Sequence, residues 1–473
     1  MKFRCTVCQW EYDEENGLPE SDIPANTKFG DLPDDFKCPI CSSGKERFER
    51  LDETRHVAEE PPVLSRKTPS QQISDNPFEP ELQSMIEKAR TGEIELSSMR
   101  SLKHKNQLDT ILFTPGQLKL KPLRDDEVTV NMKTIIGPKA ARPMELGIPY
   151  FVSHMSFGAL SKEAKVALAK GSAMLRTAIG SGEGGMLVEE KEASHRYIFE
   201  YSSGRFGATE EVLKQADAIE IKIGQSAKAG LGGHLPGNKV TKEIAKVRGV
   251  APNTSVISPP NHYDINNKED LEAKVKWLRE LSGGVPIGIK LVAGDIERDL
   301  DIALFASPDF ITFDCRGGAT GTSPTHVKDN FSIPLPYALY RADKYFKQHQ
   351  ITDVSLIATG GVQTSADIAK CLAMGAHAVA LGTIAMIGIG CRQYRQCHTG
   401  RCPFGVATQD PELRKRLDID HAATMLSNLF RVYQHEIEDY VKIIGKRDVH
   451  ELDMTDLVSL NSELTQFAGI NHA

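Results

Sequence analysis

Two features are missing from this sequence: a long apolar run and an apolar N-terminal leader. No stretch reaches the roughly 18 uninterrupted apolar residues that a membrane span needs. Residues 377–390 come nearest, but they are too few and rich in glycine. Residues 1–5 lack the apolar core of a secretory signal. We therefore expect a cytoplasmic protein without a membrane partner.

An excess of positive charge is also missing. The 473 residues carry 57 lysines and arginines against 64 aspartates and glutamates, a formal net charge of −7. Proteins that bind a phosphate backbone usually carry a basic excess, so we expect no nucleic-acid partner. With 40% hydrophobic and 26% charged residues, the composition excludes a disordered, collagen-like or coiled-coil chain.

The nine cysteines indicate metal ligation rather than disulfides, because their number is odd and no secretory signal is present. Four lie within the first 41 residues, and three lie between residues 391 and 402. Cys315 and Cys371 stand alone, and we expect both to be small buried residues.

The first 50 residues form a compact acidic unit with two Cys-x-x-Cys motifs. Four thiolates at this spacing can surround one zinc or one iron tetrahedrally, so a structural zinc ribbon competes with an iron site. The motif cysteines are Cys5, Cys8, Cys38 and Cys41. The residues available for a small aromatic core are Trp10, Tyr12, Phe29, Phe36 and Phe48.

The residues between these motifs resemble rubredoxin across almost all of the unit. The resemblance rests on Asn-Gly at residues 16–17, Ile-Pro at 23–24 and Phe-Gly-Asp-Leu-Pro-Asp-Asp-Phe at 29–36. It implies a one-electron iron carrier whose ligands are the four motif cysteines. Gln9 and Ser42 stand where glycine is usual, which should alter hydrogen bonds to sulfur and leave the ligation intact.

Residues 51–76 are polar, contain three prolines and show no sustained apolar period, which predicts a linker. The composition becomes globular again over residues 77–473. Near the end of the chain, apolar pairs recur at helical spacing from Met425 to Tyr433. This stripe predicts a helical C-terminal tail that packs against the main domain.

Short apolar runs alternate with amphipathic segments through the main domain. Eight runs joined by helical crossovers predict an α/β fold, a closed parallel (β/α)8 TIM barrel, with an open doubly wound sheet as the alternative. The candidate strands are residues 150–154, 177–180, 218–223, 255–258, 286–291, 310–314, 354–358 and 378–381. The amphipathic segments include residues 161–175, 268–281, 295–306 and 364–374.

Glycine-rich loops follow the last two predicted strands. Gly360 and Gly361 come after one, and Gly382 and Thr383 come after the other. Such paired loops form the phosphate cup of many barrels, because glycine lets the backbone approach a phosphate and amides at a helix start receive its charge. A pair of ordinary tight turns is the alternative.

Motifs at the other strand ends resemble the FMN-binding domain of glutamate synthase, from about residue 108 to residue 409. They are His-Met-Ser-Phe-Gly-Ala-Leu-Ser at residues 154–161, Ser-Gly-Glu-Gly-Gly at 181–185, the glycine-rich stretch 220–237, Ile-Lys at 289–290 and Gly-Gly-Ala-Thr-Gly-Thr-Ser-Pro at 317–324. The resemblance implies bound FMN. The implied contacts, besides the two phosphate loops, are Met155, Ser156, Gln225, Lys290, Gly317 and Gly318.

The resemblance also implies three catalytic residues. Lys290 would stabilise negative charge on the reduced flavin, although a lysine at a strand end can equally be an ion-pair partner. Lys228 would hold the carboxylates of an oxo or imino acid, and Glu183 would orient or protonate an imine nitrogen. A helix cap is the alternative for Glu183, and a loop hydrogen bond is the alternative for Gln225.

Three cysteines near the end of the chain are spaced as in the segment that binds a 3Fe–4S cluster in glutamate synthase. They are Cys391, Cys397 and Cys402, followed by Pro-Phe-Gly-Val-Ala-Thr-Gln. Three thiolates without a nearby fourth suit a cluster that lacks one iron corner. His398 lies between them, and the resemblance does not make it a ligand. The segment starts eight residues after Thr383, which would bring the cluster beside the flavin phosphate.

The implied activity is that of an iron–sulfur flavoprotein, an oxidoreductase acting on CH–NH2 donors. It would convert 2-oxoglutarate to glutamate through an imino acid, with electrons from a redox donor protein passing through both iron centres. The family's N-terminal cysteine nucleophile and glutaminase segment are absent, so ammonia would come from solution or from a separate glutaminase subunit. The sequence departs from the family pattern at Met186, Leu231 and His234. These departures leave open whether 2-iminoglutarate is the imino acid intermediate.

Two alternative functions remain open. One is an N-substituted glutamate synthase, such as a methylglutamate synthase, that uses an alkylamine on the same fold. The other is an electron-transfer subunit that has no organic substrate of its own.

Overall fold

The computed structural model describes residues 1–6, 10–21, 23–39, 43–51, 82–118 and 120–473. The chain divides into two compact units, Met1–Glu95 and Leu96–Ala473. The predicted linker, residues 51–76, lies outside the described residues except for Leu51. Cys8 and Cys41 lie outside them as well.

The N-terminal unit is built on a small antiparallel sheet of strand order β2-β1-β3. Its elements are β1 (Lys2–Cys5), β2 (Glu11–Asp13), β3 (Phe48–Leu51) and helix α1 (Leu82–Thr91). The predicted aromatic residues form its core: Tyr12, Phe29 and Phe36 are buried, and Trp10 and Phe48 pack against them.

The second unit contains many short strands. They are β4 (Leu96–Ser97), β5 (Ile111–Phe113), β6 (Thr134–Ile136), β7 (Met144–Leu146), β8 (Tyr150–Val152), β9 (Ala178–Gly180), β10 (Arg196–Tyr201), β11 (Ala218–Lys222), β12 (His234–Leu235), β13 (Val256–Ile257), β14 (Ile287–Val292), β15 (Phe310–Asp314), β16 (Ser323–Pro324), β17 (Ser355–Thr359), β18 (Ala378–Leu381), β19 (Leu457–Ser459) and β20 (Asn471–His472).

Helices alternate with these strands along the chain. They are α2 (Lys162–Ala173), α3 (Val188–Ala193), α4 (Glu210–Leu213), α5 (Lys242–Arg248), α6 (Lys268–Leu281), α7 (Ile296–Phe305), α8 (Thr325–Asn330), α9 (Leu335–Gln348), α10 (Ser365–Ala373), α11 (Thr383–Gly388), α12 (Pro411–Arg414), α13 (Ile419–Ile444) and α14 (Ser462–Phe467).

Eight strands close a parallel barrel in the order β8-β9-β10-β11-β14-β15-β17-β18, and β18 pairs with β8 to complete the ring. This confirms the predicted (β/α)8 fold. Strands such as β9 and β18 are apolar at every position and fully buried, as expected when helices cover a parallel sheet.

One predicted barrel strand is wrong. Residues 255–258 contain β13, which pairs antiparallel with β12 outside the barrel, and Ile257 is exposed. The third barrel strand is β10, which the sequence analysis missed. β10 reads Arg-Tyr-Ile-Phe-Glu-Tyr, and its buried Glu200 interrupts the apolar run by which strands are recognised. The predicted number of strands was right because the two errors cancelled.

The helix predictions follow the structure more closely, as α6 illustrates. The predicted segment 268–281 is helical throughout. The Asn267 side chain accepts a hydrogen bond from the Asp270 N–H over 2.8 Å and so caps the helix start. Leu271, Val275 and Leu278 recur at helical spacing and are buried, so this face packs on the barrel.

The C-terminal tail forms the long helix α13, which packs on α2. Leu426 and Phe430 from the predicted stripe are fully buried, whereas Val432 is half exposed. The Tyr150 hydroxyl of β8 donates to the Phe430 carbonyl over 2.6 Å, which ties the helix to the barrel. Gly171 in α2 allows this packing, since a Cβ atom there would come 2.8 Å from the Ala423 carbonyl oxygen. Among the described helices, none combines the length and apolar character that a membrane crossing needs.

Candidate active site

A cavity of about 340 Å³ opens at the carboxyl ends of the barrel strands, within the size range of small-molecule sites. The residues that line it include every residue that the sequence predicted to contact flavin or substrate, although they come from many different strand ends. These are Met155, Ser156, Glu183, Gln225, Lys228, Lys290, Gly317, Gly318, Gly360, Gly361, Gly382 and Thr383.

The loops after β17 and β18 carry unpaired backbone donors. In the part of the chain that the structure describes, the N–H groups of Gly360, Gly361, Gly382 and Thr383 donate to no protein acceptor. Gly360 has a φ of +96°, and a Cβ atom on it would lie 2.3 Å from the Cys315 carbonyl oxygen, so only glycine fits this loop. Unpaired N–H groups beside a cavity suit an anion, and these residues therefore fit the phosphate of a cofactor.

A network of buried charges lies under the cavity, with Glu200 at its centre. The Lys290 ammonium forms an ion pair with Glu200 and lies 3.3 Å from Glu220 Oε2. Lys222 Nζ lies 3.3 Å from Glu200 Oε1 and 2.6 Å from Glu183 Oε2. Glu200 was not predicted from the sequence because β10 was not recognised as a strand, and no role was predicted for Lys222.

The ion pairs shift the pKa values of these groups in the direction opposite to the effect of burial. Burial would raise the pKa of Glu200, but the charges of Lys222 and Lys290 hold that pKa well below its usual range. In the same way Lys290 and His154 lower the pKa of Glu220 to about 2 against the effect of burial. Glu200 and Glu220 raise the pKa of Lys290, which burial would lower. Both carboxylates and the Lys290 ammonium are therefore charged at neutral pH.

His154 completes the network. The Gly182 N–H donates to His154 Nδ1 over 3.2 Å, so Nε2 carries a ring proton, and Nε2 lies 3.0 Å from Glu220 Oε2. His154, Glu200 and Glu220 are close enough to share a metal ion. Because two ammonium groups already neutralise the carboxylates and Nε2 carries a proton, we interpret the group as an ion-pair network.

Lys228 has a different environment from the other two lysines. It is buried and lines the cavity. Among the described residues, its ammonium has neither an ion-pair partner nor a hydrogen-bond acceptor. Burial lowers the pKa of Lys228 to about 8, with the Glu183 carboxylate opposing this shift and the charge of Lys222 adding to it.

Three further cations line the cavity without a carboxylate partner among the described residues: Arg100, Lys239 and Arg248. The Arg248 guanidinium donates to the Phe157 carbonyl over 2.8 Å and to the Glu183 carbonyl over 3.2 Å. Since these acceptors are neutral, the positive charge of Arg248 is not cancelled. Sequence reasoning missed these residues because they lie outside the glycine motifs and reach the cavity only through the tertiary fold.

The three C-terminal cysteines come together beside the cavity. Cys397 lines it, and burial together with the neighbouring Cys391 and Cys402 thiols raises the pKa of Cys397 to about 11. The Gln393 N–H lies 3.4 Å from Cys391 Sγ. His398 Nδ1 lies 2.7 Å from the Ser98 hydroxyl oxygen, so that nitrogen has a partner other than the thiols.

The remaining cysteines fall into two groups. Cys315 and Cys371 are fully buried, as predicted. In the N-terminal unit, Cys5 and Cys38 are buried together against Trp10 and Phe48. Because Cys8 and Cys41 lie outside the described residues, the four-cysteine site remains a prediction.

The sequence comparisons give the family of the chain. The model described as "Conserved region in glutamate synthase" matches residues 76–447, and the model "Rubredoxin" matches residues 2–48. The archaeal glutamate synthase [NADPH] of Methanocaldococcus jannaschii is 35% identical over 81% of this chain and 82% of its own length. The archaeal glutamate synthase [NADPH] of Archaeoglobus fulgidus is 31% identical over 95% of this chain and 90% of its own.

The structure comparison agrees with the barrel fold. A lactate oxidase from Pediococcus acidilactici superposes with a TM-score of 0.50 at 15% identity, covering 85% of this chain and 96% of the oxidase. At that identity the likeness concerns the fold alone. The sequence matches confirm the predicted enzyme class, an oxidoreductase acting on CH–NH2 donors, and the predicted rubredoxin-like N-terminal segment. The chain therefore belongs to the glutamate synthase family.

Proposed function

We propose that this protein is an iron–sulfur flavoprotein that reductively aminates a 2-oxo acid, with 2-oxoglutarate and glutamate as the substrate and product to test first. One observation carries the proposal: a single cavity combines unpaired backbone donors with four cations that have no carboxylate partner among the described residues. Such a cavity suits a phosphate and a dicarboxylate together. The glutamate synthase names of the relatives support the same reaction.

The residues present fit FMN. The N–H groups of the β17 and β18 loops would receive its phosphate, and Met155, Ser156, Gln225, Gly317 and Gly318 would contact the rest. Lys290 would hold a fixed positive charge beside the ring, because Glu200 and Glu220 keep its ammonium protonated. When bound, FMN supplies the two-electron reduction of the imino acid carbon.

The substrate's carboxylates would bind the unpaired cations. Among the described residues, the hydrogen-bond partners of Arg248 and Lys239 are neutral carbonyl and hydroxyl groups, so a carboxylate adds a charge-assisted hydrogen bond of roughly 1.5–3 kcal/mol to each. Glu183 faces the same cavity and is held by Lys222. In this position Glu183 can exchange a proton with the substrate nitrogen, which is the role predicted from the sequence.

Two iron centres would deliver single electrons to the site. The rubredoxin match supports iron at Cys5, Cys8, Cys38 and Cys41. The grouping of Cys391, Cys397 and Cys402, with Cys397 in the cavity wall, supports a 3Fe–4S cluster beside the flavin. The domain bounds that we propose are 1–50 for the rubredoxin-like domain, 51–76 for the linker and 77–473 for the barrel with its helical tail.

The proposal is tested by a reoxidation experiment. The protein is reduced anaerobically, with NADPH and with an artificial one-electron donor in separate runs, and is then mixed with 2-oxoglutarate and either ammonium or methylamine. Flavin reoxidation with formation of glutamate supports the proposal. Formation of N-methylglutamate alone would instead identify an N-substituted glutamate synthase. No reoxidation by either amine, together with rapid reoxidation by a redox protein, would identify an electron-transfer subunit.

A further inference from the structure

We propose that Lys228 binds the oxo acid covalently, by forming an imine between its Nζ atom and the substrate's carbonyl carbon. This covalent role differs from the carboxylate binding that was predicted for Lys228. It rests on the proposed function, because that function has an oxo acid as its substrate. Three lysines that line one cavity, Lys222, Lys228 and Lys290, differ in their ion pairing.

Lys228 is the one of these three that can lose its proton without breaking an ion pair. Lys222 lies between Glu183 and Glu200, and Lys290 lies between Glu200 and Glu220. The Lys228 ammonium has no such partner among the described residues, although it is only 8% exposed. A buried ammonium without a counter-ion favours the neutral amine, which is the nucleophilic form.

The protonation state of Lys228 agrees with this role. With a pKa of about 8, about a tenth of the Lys228 side chains are neutral at pH 7. The positive charge of Lys222 contributes to that shift, and a desolvated lysine beside a second cation is a known arrangement for an amine nucleophile.

Hydrogen bonds hold the stretch of backbone that leads into Lys228. The Ser226 hydroxyl donates to Asp314 Oδ1 over 2.7 Å, and the Ser323 hydroxyl donates to the Ala227 carbonyl. The Lys228 N–H donates to the Gln225 carbonyl over 3.0 Å. This turn therefore positions the side chain from a fixed backbone, as covalent catalysis requires.

The step balances without an oxidant or a reductant. Neutral Nζ attacks the carbonyl carbon, a carbon–nitrogen bond forms, and the carbonyl oxygen takes up two protons and leaves as water. Both protons come from Nζ, and Glu183, which lies near Lys228, can carry them one after the other to the leaving oxygen. Ammonia then adds to the same carbon and passes two of its protons to Nζ. The bond to Nζ breaks, so the imino acid remains and Lys228 returns as a neutral amine.

Reductive trapping tests the imine directly. The oxidised holoprotein is incubated with 2-oxoglutarate and cyanoborohydride, without ammonia, and digested for mass spectrometry. We expect one adduct with the mass of 2-oxoglutarate less one oxygen atom, on the peptide that contains Lys228. Ammonium added before the reductant should lower the yield, because it competes for the imine.

Lys228→Arg is the matched control, because arginine keeps the positive charge and cannot form the imine. We expect this variant to retain flavin and to bind 2-oxoglutarate in calorimetry, to give no adduct, and to lose at least about tenfold in amination rate. No adduct in the native protein at saturating 2-oxoglutarate would overturn the proposal. An equal adduct in Lys228→Arg, or a native amination rate in that variant, would overturn it too.

The trapping result is independent of the proposed function, since it needs neither ammonia nor reduced flavin. A native protein that forms the adduct but makes no amino acid would contradict the proposed amination and would still support the imine. A native protein that makes glutamate without any adduct would defeat only the imine.

Discussion

Glu200→Gln should destabilise the barrel more than any exposed glutamate substitution. The change removes the negative charge that lies between Lys222 and Lys290 and keeps the shape of the side chain. Each lysine then keeps one carboxylate, Glu183 for Lys222 and Glu220 for Lys290. The two ammonium groups remain buried with one negative charge fewer near them.

The expected cost follows from the geometry of the network. Removing one partner of a buried ion pair costs about 3–5 kcal/mol, and the remaining carboxylates place this case at the lower end, about 3 kcal/mol. In a domain of a few hundred residues each kcal/mol lowers Tm by about 2 °C, so we expect a decrease of roughly 6 °C at pH 7. Differential scanning calorimetry of the holoprotein measures it.

The pH dependence of the stability tests the effect of Glu200 independently. The pKa of Glu200 is lowered in the folded protein, so its carboxylate stabilises the fold above the unfolded pKa of about 4.3. That stabilisation is lost as the pH falls towards the folded value. The stability deficit of Glu200→Gln relative to the native protein should therefore be complete at pH 7 and smaller at pH 3.5.

Glu269→Gln is the control, because Glu269 is 62% exposed and pairs only loosely with Lys268 at 3.9 Å. We expect its Tm to change by less than about 1 °C. A Glu200→Gln protein as stable as this control at pH 7 would refute the reasoning, and so would a deficit that grows towards acid.

Further changes test the other parts of the account. Cys397→Ser should abolish the absorption of the C-terminal cluster and spare the N-terminal iron, and loss of both signals would refute two separate sites. Gly360→Ala should weaken FMN binding at least about tenfold, measured by the fluorescence of released flavin, because alanine is strained at that φ and its Cβ would meet the Cys315 carbonyl. Gly294→Ala, whose Cβ meets no atom closer than 4.0 Å, should bind FMN normally. Removal of residues 1–50 should leave a folded barrel that binds FMN, and an insoluble remainder would count against an independent domain.

The sequence predicted those elements whose pattern is local. Helix α6 was predicted to the residue because its apolar positions lie within one segment and recur at helical spacing. Strand β10 was not predicted because a glutamate within an apolar run indicates an exposed position. Glu200 is buried because it pairs with lysines on β11 and β14, and the sequence of one strand does not reveal such partners. Residues 255–258 look like a strand locally, and only the sheet order shows that they lie outside the barrel.

The cavity residues likewise divide into those that a local sequence pattern predicts and those that depend on the tertiary fold. Glycine motifs predicted its loops, since a glycine such as Gly360 is required by a local backbone conformation. Arg248 and Lys239 were not predicted, because they reach the cavity through tertiary packing and belong to no motif. The pairing of Lys222 with Glu183, which leaves Lys228 unpaired, likewise depends on distances between strands.

Flavin and metal analysis of the anaerobically purified protein tests the central claim, that one chain combines a flavin site with two iron centres. The account predicts one FMN for each chain, together with acid-labile sulfide and about four iron atoms in all. A colourless protein with zinc at its N-terminal cysteines and no bound flavin would contradict it.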